Sequence, residues 1–166
     1  NMRSLVLIAM LALFVLAAGH ATSAQKHETA DYLLEAFGGY LLGTDRGEWI
    51  GKLMFQDPHG NVQTILNENV HGIVKNPEGI FVFTGLAHMS LNEGQIFVIA
   101  GNSDGKITAS SLGHLSGAPS RVRQLQPGGV TSFLIYSGFS GDQRVFNCYQ
   151  LIGRVVSRGQ DCLPPK

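Results

Sequence analysis

Two stretches of the chain, GEWIGKLMFQDPHG (47–60) and NEGQIFVIAGNSDG (92–105), carry the same pattern of residue types. Each contains a Glu near its start, continues as an alternating apolar run and closes in a polar turn with Gly. When Glu48 is aligned with Glu93, the closing glycines coincide at the same offset of 45 residues. Alternating apolar runs closed by Gly-containing turns are typical of antiparallel strands. The chain is therefore predicted to repeat a small β-unit.

The repeat continues beyond these two stretches. The turns NPEG (76–79) and QPGG (126–129) are alike, and each precedes a similar apolar run, FVFTG (81–85) or LIYSG (134–138). Partial copies flank the two full units, so the chain holds about three units of four strands each. A period of about 40 to 50 residues with four strands is typical of a β-propeller blade.

We therefore predict an all-β fold of about three four-stranded, antiparallel, propeller-blade-like repeats, arranged as an incomplete propeller or as stacked sheets. About eleven strand-like runs follow residue 39, and Gly, Asn, Asp or Pro separates nearly all of them. The exception is HETADYLLEAFGG (27–39), which is predicted to form a short helix after the signal peptide. Thr29 would cap this helix, and the pair of glycines would end it.

The repeat pattern resembles bacterial exported β-propeller-type proteins of the broad YVTN/NHL-like kind, over most of residues 38–151. This resemblance implies a fold family and no particular activity. Closed propellers have four or more blades, whereas this chain has material for about three. Three alternatives could explain the smaller number of units: a second copy of the chain supplies the missing blades, the sheets pack as a sandwich or open stack, or the chain is a fragment of a longer ancestor. The first alternative predicts a homo-oligomer.

Residues 1–24 have the features of a secretory signal peptide. A basic residue precedes an unbroken apolar run at 5–18, and small residues surround a cleavage site predicted after Ala24 or, alternatively, Ala21. The run is shorter than the roughly 20 apolar residues that a membrane span needs. We therefore predict an exported protein, periplasmic or extracellular, with no membrane span after cleavage. Residues 25–166 would form a single β-repeat domain.

The chain contains two cysteines, Cys148 and Cys162. An even pair in an exported protein predicts a disulfide. This bond would tether the C-terminal tail to the last long strand. A catalytic thiol pair would need a C-x-x-C spacing or a nearby His, and the sequence around these cysteines has neither.

Composition and motifs argue against several function classes. Residues 25–166 carry a net charge near −1 and no basic run, so nucleic-acid binding is not predicted. The spacings of a serine nucleophile elbow and of a phosphate-binding loop are missing. We therefore assign no catalytic residue, cofactor or metal. His71, His88 and His114 lie beside turns of the repeat, and a zinc site formed by them is the alternative to ordinary surface histidines.

The residues best suited to a binding surface lie in two predicted loops. DRGEW (45–49) holds the only Trp, and Trp exposed near charged groups is enriched at binding surfaces. GLAHMSLNEG (85–94) is longer than a hairpin needs, and loops carry function more often than strands do. The predicted binding rim consists of Asp45, Glu48, Trp49, His88 and Glu93.

The predicted function is that of an exported binding or interaction module whose partner is a protein, peptide or glycan of the cell envelope. One alternative is a small exported hydrolase in which Glu48 and Glu93 face each other about 5 to 10 Å apart across a cleft. Another is an inhibitor or immunity-type protein that blocks a toxin or lysozyme through an exposed loop. A concave pocket with convergent polar groups would favour the enzyme, and a protruding apolar patch would favour a partner surface.

Overall fold

The structure, a computed structural model, describes residues 29–165 and is all-β. The strands in this range form three four-stranded antiparallel sheets, each a simple meander, which confirms the predicted sheets. The first sheet contains β1 (Tyr32–Ala36), β2 (Gly39–Gly43), β3 (Leu53–Gln56) and β4 (Val62–Leu66). The middle sheet contains β5 (Val70–Asn76), β6 (Gly79–His88), β7 (Leu91–Gly101) and β8 (Ile107–Leu115). The last sheet contains β9 (Pro119–Gln124), β10 (Thr131–Ser140), β11 (Gln143–Ile152) and β12 (Val155–Arg158).

The helix predicted over residues 27–39 is wrong in the part that the structure describes. Tyr32–Ala36 is strand β1, and it pairs with β2 through a tight turn at Phe37 and Gly38, both of which have positive φ. The side chains of β1 alternate between exposed and half-buried, as expected for a strand with one face on a core. Residues 27 and 28, and the predicted signal peptide at 1–24, lie outside the described residues.

The offset of 45 residues corresponds to a real structural repeat, the turn between the third and fourth strand of a sheet. In the first sheet, Asp57 Oδ1 accepts a hydrogen bond of 2.9 Å from the N–H of Asn61. In the middle sheet, Asn102 Oδ1 accepts one of 2.8 Å from the N–H of Lys106. The glycine in each turn has φ of +87° and +74°, respectively, a conformation that favours glycine.

The sheets divide the chain at a different point from the predicted units. Each predicted unit begins with β3 or β7, whereas the sheets begin at β1, β5 and β9. A predicted unit therefore takes two strands from one sheet and two from the next. A periodic sequence fixes the spacing of equivalent strands, but hydrogen bonding decides which four strands form one sheet.

The middle sheet is buried on both faces. Ile80 and Val82 of β6 belong to a hydrophobic cluster shared with the first sheet. Phe81 and Phe83, which alternate with them, belong to a second cluster shared with the last sheet. Successive side chains of a strand point to opposite faces, so an unbroken apolar run gives β6 two buried faces. The three sheets are therefore layered, with the middle sheet between the other two.

The connections between sheets share one end of the molecule, which we call the loop end. A meander of four strands returns the chain to the end from which it started, so each sheet begins and finishes there. The hairpin tips of β6–β7 and β10–β11 and a 3₁₀ turn at Gly47–Trp49 also lie at this end. In contrast, the turns that close the remaining hairpins lie at the opposite end.

The predicted disulfide is confirmed: Cys148 on β11 is bonded to Cys162 in the tail, with a Cα–Cα distance of 5.7 Å. A disulfide is compatible with an oxidising, exported environment. Over residues 29–165, no helix has the length and apolar character needed to cross a membrane.

Candidate functional site

The connection between β2 and β3 carries three of the predicted binding residues, and one buried side chain organises it. Asn69 Oδ1 accepts hydrogen bonds from the N–H groups of Arg46 (2.9 Å) and Gly51 (2.5 Å). Asn69 Nδ2 donates to the carbonyl of Gly47 at 2.6 Å. Asn69 is 3% exposed, so these bonds lie largely out of water and fix the path of the loop.

The predicted binding residues have four different surroundings in the structure. Asp45 Oδ2 lies 3.4 Å from His71 Nδ1, and Glu48 Oε2 lies 3.3 Å from His88 Nε2. Both contacts join the β2–β3 connection to the middle sheet. The Trp49 side chain, in contrast, is 81% exposed and therefore takes no part in the core.

Glu93 lines a cavity of about 250 Å³. The second carboxylate in this cavity belongs to Glu68, which accepts a hydrogen bond of 2.6 Å from the hydroxyl of Thr84. His114 also lines it, whereas Glu48 does not. Reasoning from repeat positions paired Glu48 with Glu93 and missed Glu68, which lies in the three-residue connection between two sheets.

A larger cavity, which we call the hairpin groove, lies between the β6–β7 and β10–β11 hairpins and has a volume of about 390 Å³. Three of its aromatic side chains are in contact: the ring centroids of Tyr136 and Phe139 are 5.7 Å apart, and those of Tyr136 and Phe146 are 5.8 Å apart. Phe139 is 66% exposed. The apolar lining of the hairpin groove includes Met89, Leu91, Tyr136, Phe139 and Phe146.

Met89 is the most exposed large apolar side chain of this groove, at 94%. It occupies the two-residue turn between β6 and β7 with φ of +52°. Such turns favour Asn or Gly, because other residues are strained at positive φ. Neither the backbone nor the core gains stability from a Met at this position. Residues 85–94 were predicted to form a long loop, but they are the paired ends of β6 and β7. An apolar residue at the hairpin tip was the sequence signal for this site.

A third cavity, the arginine cleft, adjoins the hairpin groove and has a volume of about 400 Å³. Ser120, Arg144, His71 and Phe146 line both cavities. The arginine cleft is lined in addition by Tyr32, Arg121, Val122 and Pro165. It therefore lies where strands of all three sheets approach one another at β1, β5 and β9.

Two titratable side chains of the arginine cleft, His71 and Tyr32, lie close to carboxylates of the first sheet and its connections. His71 Nε2 lies 3.0 Å from the carbonyl oxygen of Gly85, and Nδ1 faces Asp45. Both partners of the His71 ring are hydrogen-bond acceptors. Burial raises the pKa of Tyr32 above 10.0, and the Asp45 and Asp31 carboxylates raise it further. The Tyr32 hydroxyl therefore keeps its proton at neutral pH.

Within residues 29–165, no group of three or more His, Cys, Asp or Glu side chains is placed to hold a metal ion. Comparison with models of protein families, with curated proteins and with solved structures finds no match. The resemblance to exported propeller-type proteins accordingly stays a prediction.

Proposed function

We propose that this protein is an exported binding module that receives an extended segment of another protein in the hairpin groove. The observation that carries the proposal is Met89, which is exposed, apolar and held in a strained turn. Strained residues persist where function requires them. Because the fold gains nothing from this side chain, a partner is its physical explanation.

The rest of the hairpin groove supports a protein partner. Aromatic residues and Met are enriched where proteins bind one another, and Met adapts its shape to irregular apolar surfaces. Phe139 and Tyr136 add aromatic side chains to the same groove from the β10–β11 hairpin. The volume of about 390 Å³ lies within the range of about 300 to 1,000 Å³ that is typical of ligand clefts.

Export and the type of partner complete the proposal. The disulfide between Cys148 and Cys162 supports an oxidising compartment, and the proposed compartment is the periplasm or the extracellular space, reached through the predicted signal peptide. A peptide segment of an envelope protein is the proposed ligand in preference to a glycan, because the groove is lined mainly by apolar side chains. The predicted homo-oligomer stays a prediction.

Selection from a library of random peptides displayed on phage tests this function. The purified, disulfide-bonded protein is the target, and a Met89→Ser/Phe139→Ser double variant is used for counter-selection. We expect peptides with an aromatic or aliphatic consensus that bind the wild type and lose about tenfold or more in affinity for the variant.

The matched control is Val155→Ser on β12, because Val155 is 67% exposed and Phe139 is 66% exposed. Val155 does not line the hairpin groove, so this variant is expected to bind the selected peptides as the wild type does. A selection that enriches no peptide, or peptides that bind the groove variant equally well, would refute the proposed function.

A further inference from the structure

We propose that the partner segment carries an acidic side chain, Asp or Glu, which Arg121 and Arg144 receive in the arginine cleft. This inference rests on the proposed function of the hairpin groove and specifies the chemistry of its ligand. The ligand would place an apolar side chain in the groove and a carboxylate in the cleft beside it.

The charges of the arginine cleft favour an anion. Arg121 and Arg144 line it, and its described lining contains no Asp or Glu. In the part of the chain that the structure describes, neither guanidinium forms an ion pair. The two carboxylates that act on Tyr32 of this cleft are already engaged, Asp31 with Arg46 at 2.9 Å and Asp45 with His71 at 3.4 Å.

Arg121 supplies an unmet hydrogen-bond donor. Its Nε is buried and has no acceptor among residues 29–165. Leaving a buried donor unpaired is costly, and most such groups in folded proteins have a partner. Arg121 also has φ of +54°, a strained conformation that is common at functional sites. A carboxylate of the partner in the cleft would pair with the Arg121 guanidinium and form charge-assisted hydrogen bonds.

The cleft and the groove are continuous, so one ligand reaches both. Arg144 lines both cavities and is the cross-strand partner of Phe139 in the β10–β11 hairpin. Paired residues of antiparallel strands have Cα atoms about 4.5 to 5.5 Å apart. In an extended peptide, side chains about two residues apart share a face and are separated by about 7 Å. The acidic residue is therefore expected about two positions from the apolar anchor.

A side chain can enter the arginine cleft while the peptide backbone continues along the hairpin groove. We therefore expect the acid to be an Asp or Glu side chain and not the terminal carboxylate of the peptide. Tyr32, which stays protonated, provides a hydroxyl donor in the same cleft.

The same phage library tests the inference. It is selected in parallel against three target proteins, namely the wild type, Arg144→Gln and Arg121→Gln. We expect wild-type peptides to combine an aromatic or aliphatic anchor with Asp or Glu about two residues away. The Arg→Gln selections are expected to keep the anchor and lose the acid. Synthetic peptides with Asp replaced by Asn should bind the wild type about tenfold more weakly.

Arg123→Gln is the matched control, because Arg123 lies on β9 with Arg121 and outside the lining of the cleft. It is expected to select the same acidic peptides as the wild type. Arg144 lies on an exposed part of β11, so its variant remains informative if Arg121→Gln fails to fold.

Two outcomes would overturn the inference and leave the proposed function intact. One is a set of anchored peptides without acidic enrichment, and the other is affinity that depends on a free terminal carboxylate and not on Asp or Glu. Failure to enrich any peptide that distinguishes the groove variant would instead refute the proposed function itself.

Discussion

Replacing Gly72 on β5 by Ala would test how the last sheet packs against the middle sheet, and hence the wall of the arginine cleft. A Cβ atom at Gly72 would lie 2.7 Å from Val122 Cγ1 and 2.8 Å from Val122 Cβ. Carbon atoms in proteins pack at about 3.5 to 4.0 Å, so the new methyl group would overlap Val122 by about 1 Å. Gly72 is absent from the residues with positive φ, so the substitution probes packing and not backbone strain.

The expected cost of Gly72→Ala is about 1 to 3 kcal/mol, the usual range for overpacking. For a domain of this size the corresponding fall in Tm is about 4 to 12 °C. Urea denaturation followed by circular dichroism measures the free energy of unfolding, and thermal melts measure Tm. The control is Gly113→Ala on β8, where a Cβ atom would meet nothing within 4 Å; we expect little or no loss of stability.

A double-mutant cycle identifies the cause. Val122→Ala removes the atoms that the new methyl group would meet, so the double variant should be more stable than the sum of the single effects by about 1 kcal/mol or more. Strictly additive effects, or equal losses for Gly72→Ala and Gly113→Ala, would refute the close approach of β5 and β9.

Three further predictions concern the core, the tail and a turn. Phe133→Ala should cost about 3 to 5 kcal/mol in urea denaturation, because Phe133 is 0% exposed between the middle and last sheets; a loss below about 1 kcal/mol would contradict that packing. Replacing Cys148 and Cys162 by Ala should cost on the order of 3 kcal/mol in the chain-entropy model, since the bond closes a loop with a sequence separation of 14. An unchanged free energy of unfolding would show that the disulfide adds no stability. The pKa of Asp57 is lowered mainly by the side-chain hydrogen bond from Asn61, so its contribution to stability is present above the unfolded-state pKa and is lost as the pH falls through the folded-state pKa. Thermal melts between about pH 2 and 6 should therefore show a smaller fall in Tm toward low pH for Asp57→Asn than for the wild type. If Tm depends on pH in the same way for both proteins, this turn does not contribute to acid sensitivity.

The fold class and the repeat could be predicted from sequence because they depend on local pattern. Alternating apolar residues and turn-forming residues identified the strands after residue 39, and the offset between Glu48 and Glu93 matched equivalent turns. Strand β1 was the exception. Tyr32–Ala36 contains Leu, Glu and Ala, which favour helices, and pairing with β2 overrides that local preference.

The candidate site depended on contacts that the sequence could not reveal. Met89 and Phe139 lie 50 residues apart in the chain, and they line one groove because two hairpins extend from adjacent sheets. Glu48 and Glu93 occupy equivalent positions in the repeat, yet Glu48 faces His88 and Glu93 lines a cavity with Glu68.

The sequence by itself determined the strands, the repeat, the cysteine pair and the apolar run that gives β6 two buried faces. Tertiary structure alone decided which strands share a sheet, and it joined Arg121 and Arg144 in one cleft. The physical reason is the range of the interactions. Strand periodicity and turn geometry act between residues close in sequence, whereas layering and cavities arise from burial between residues far apart in the chain.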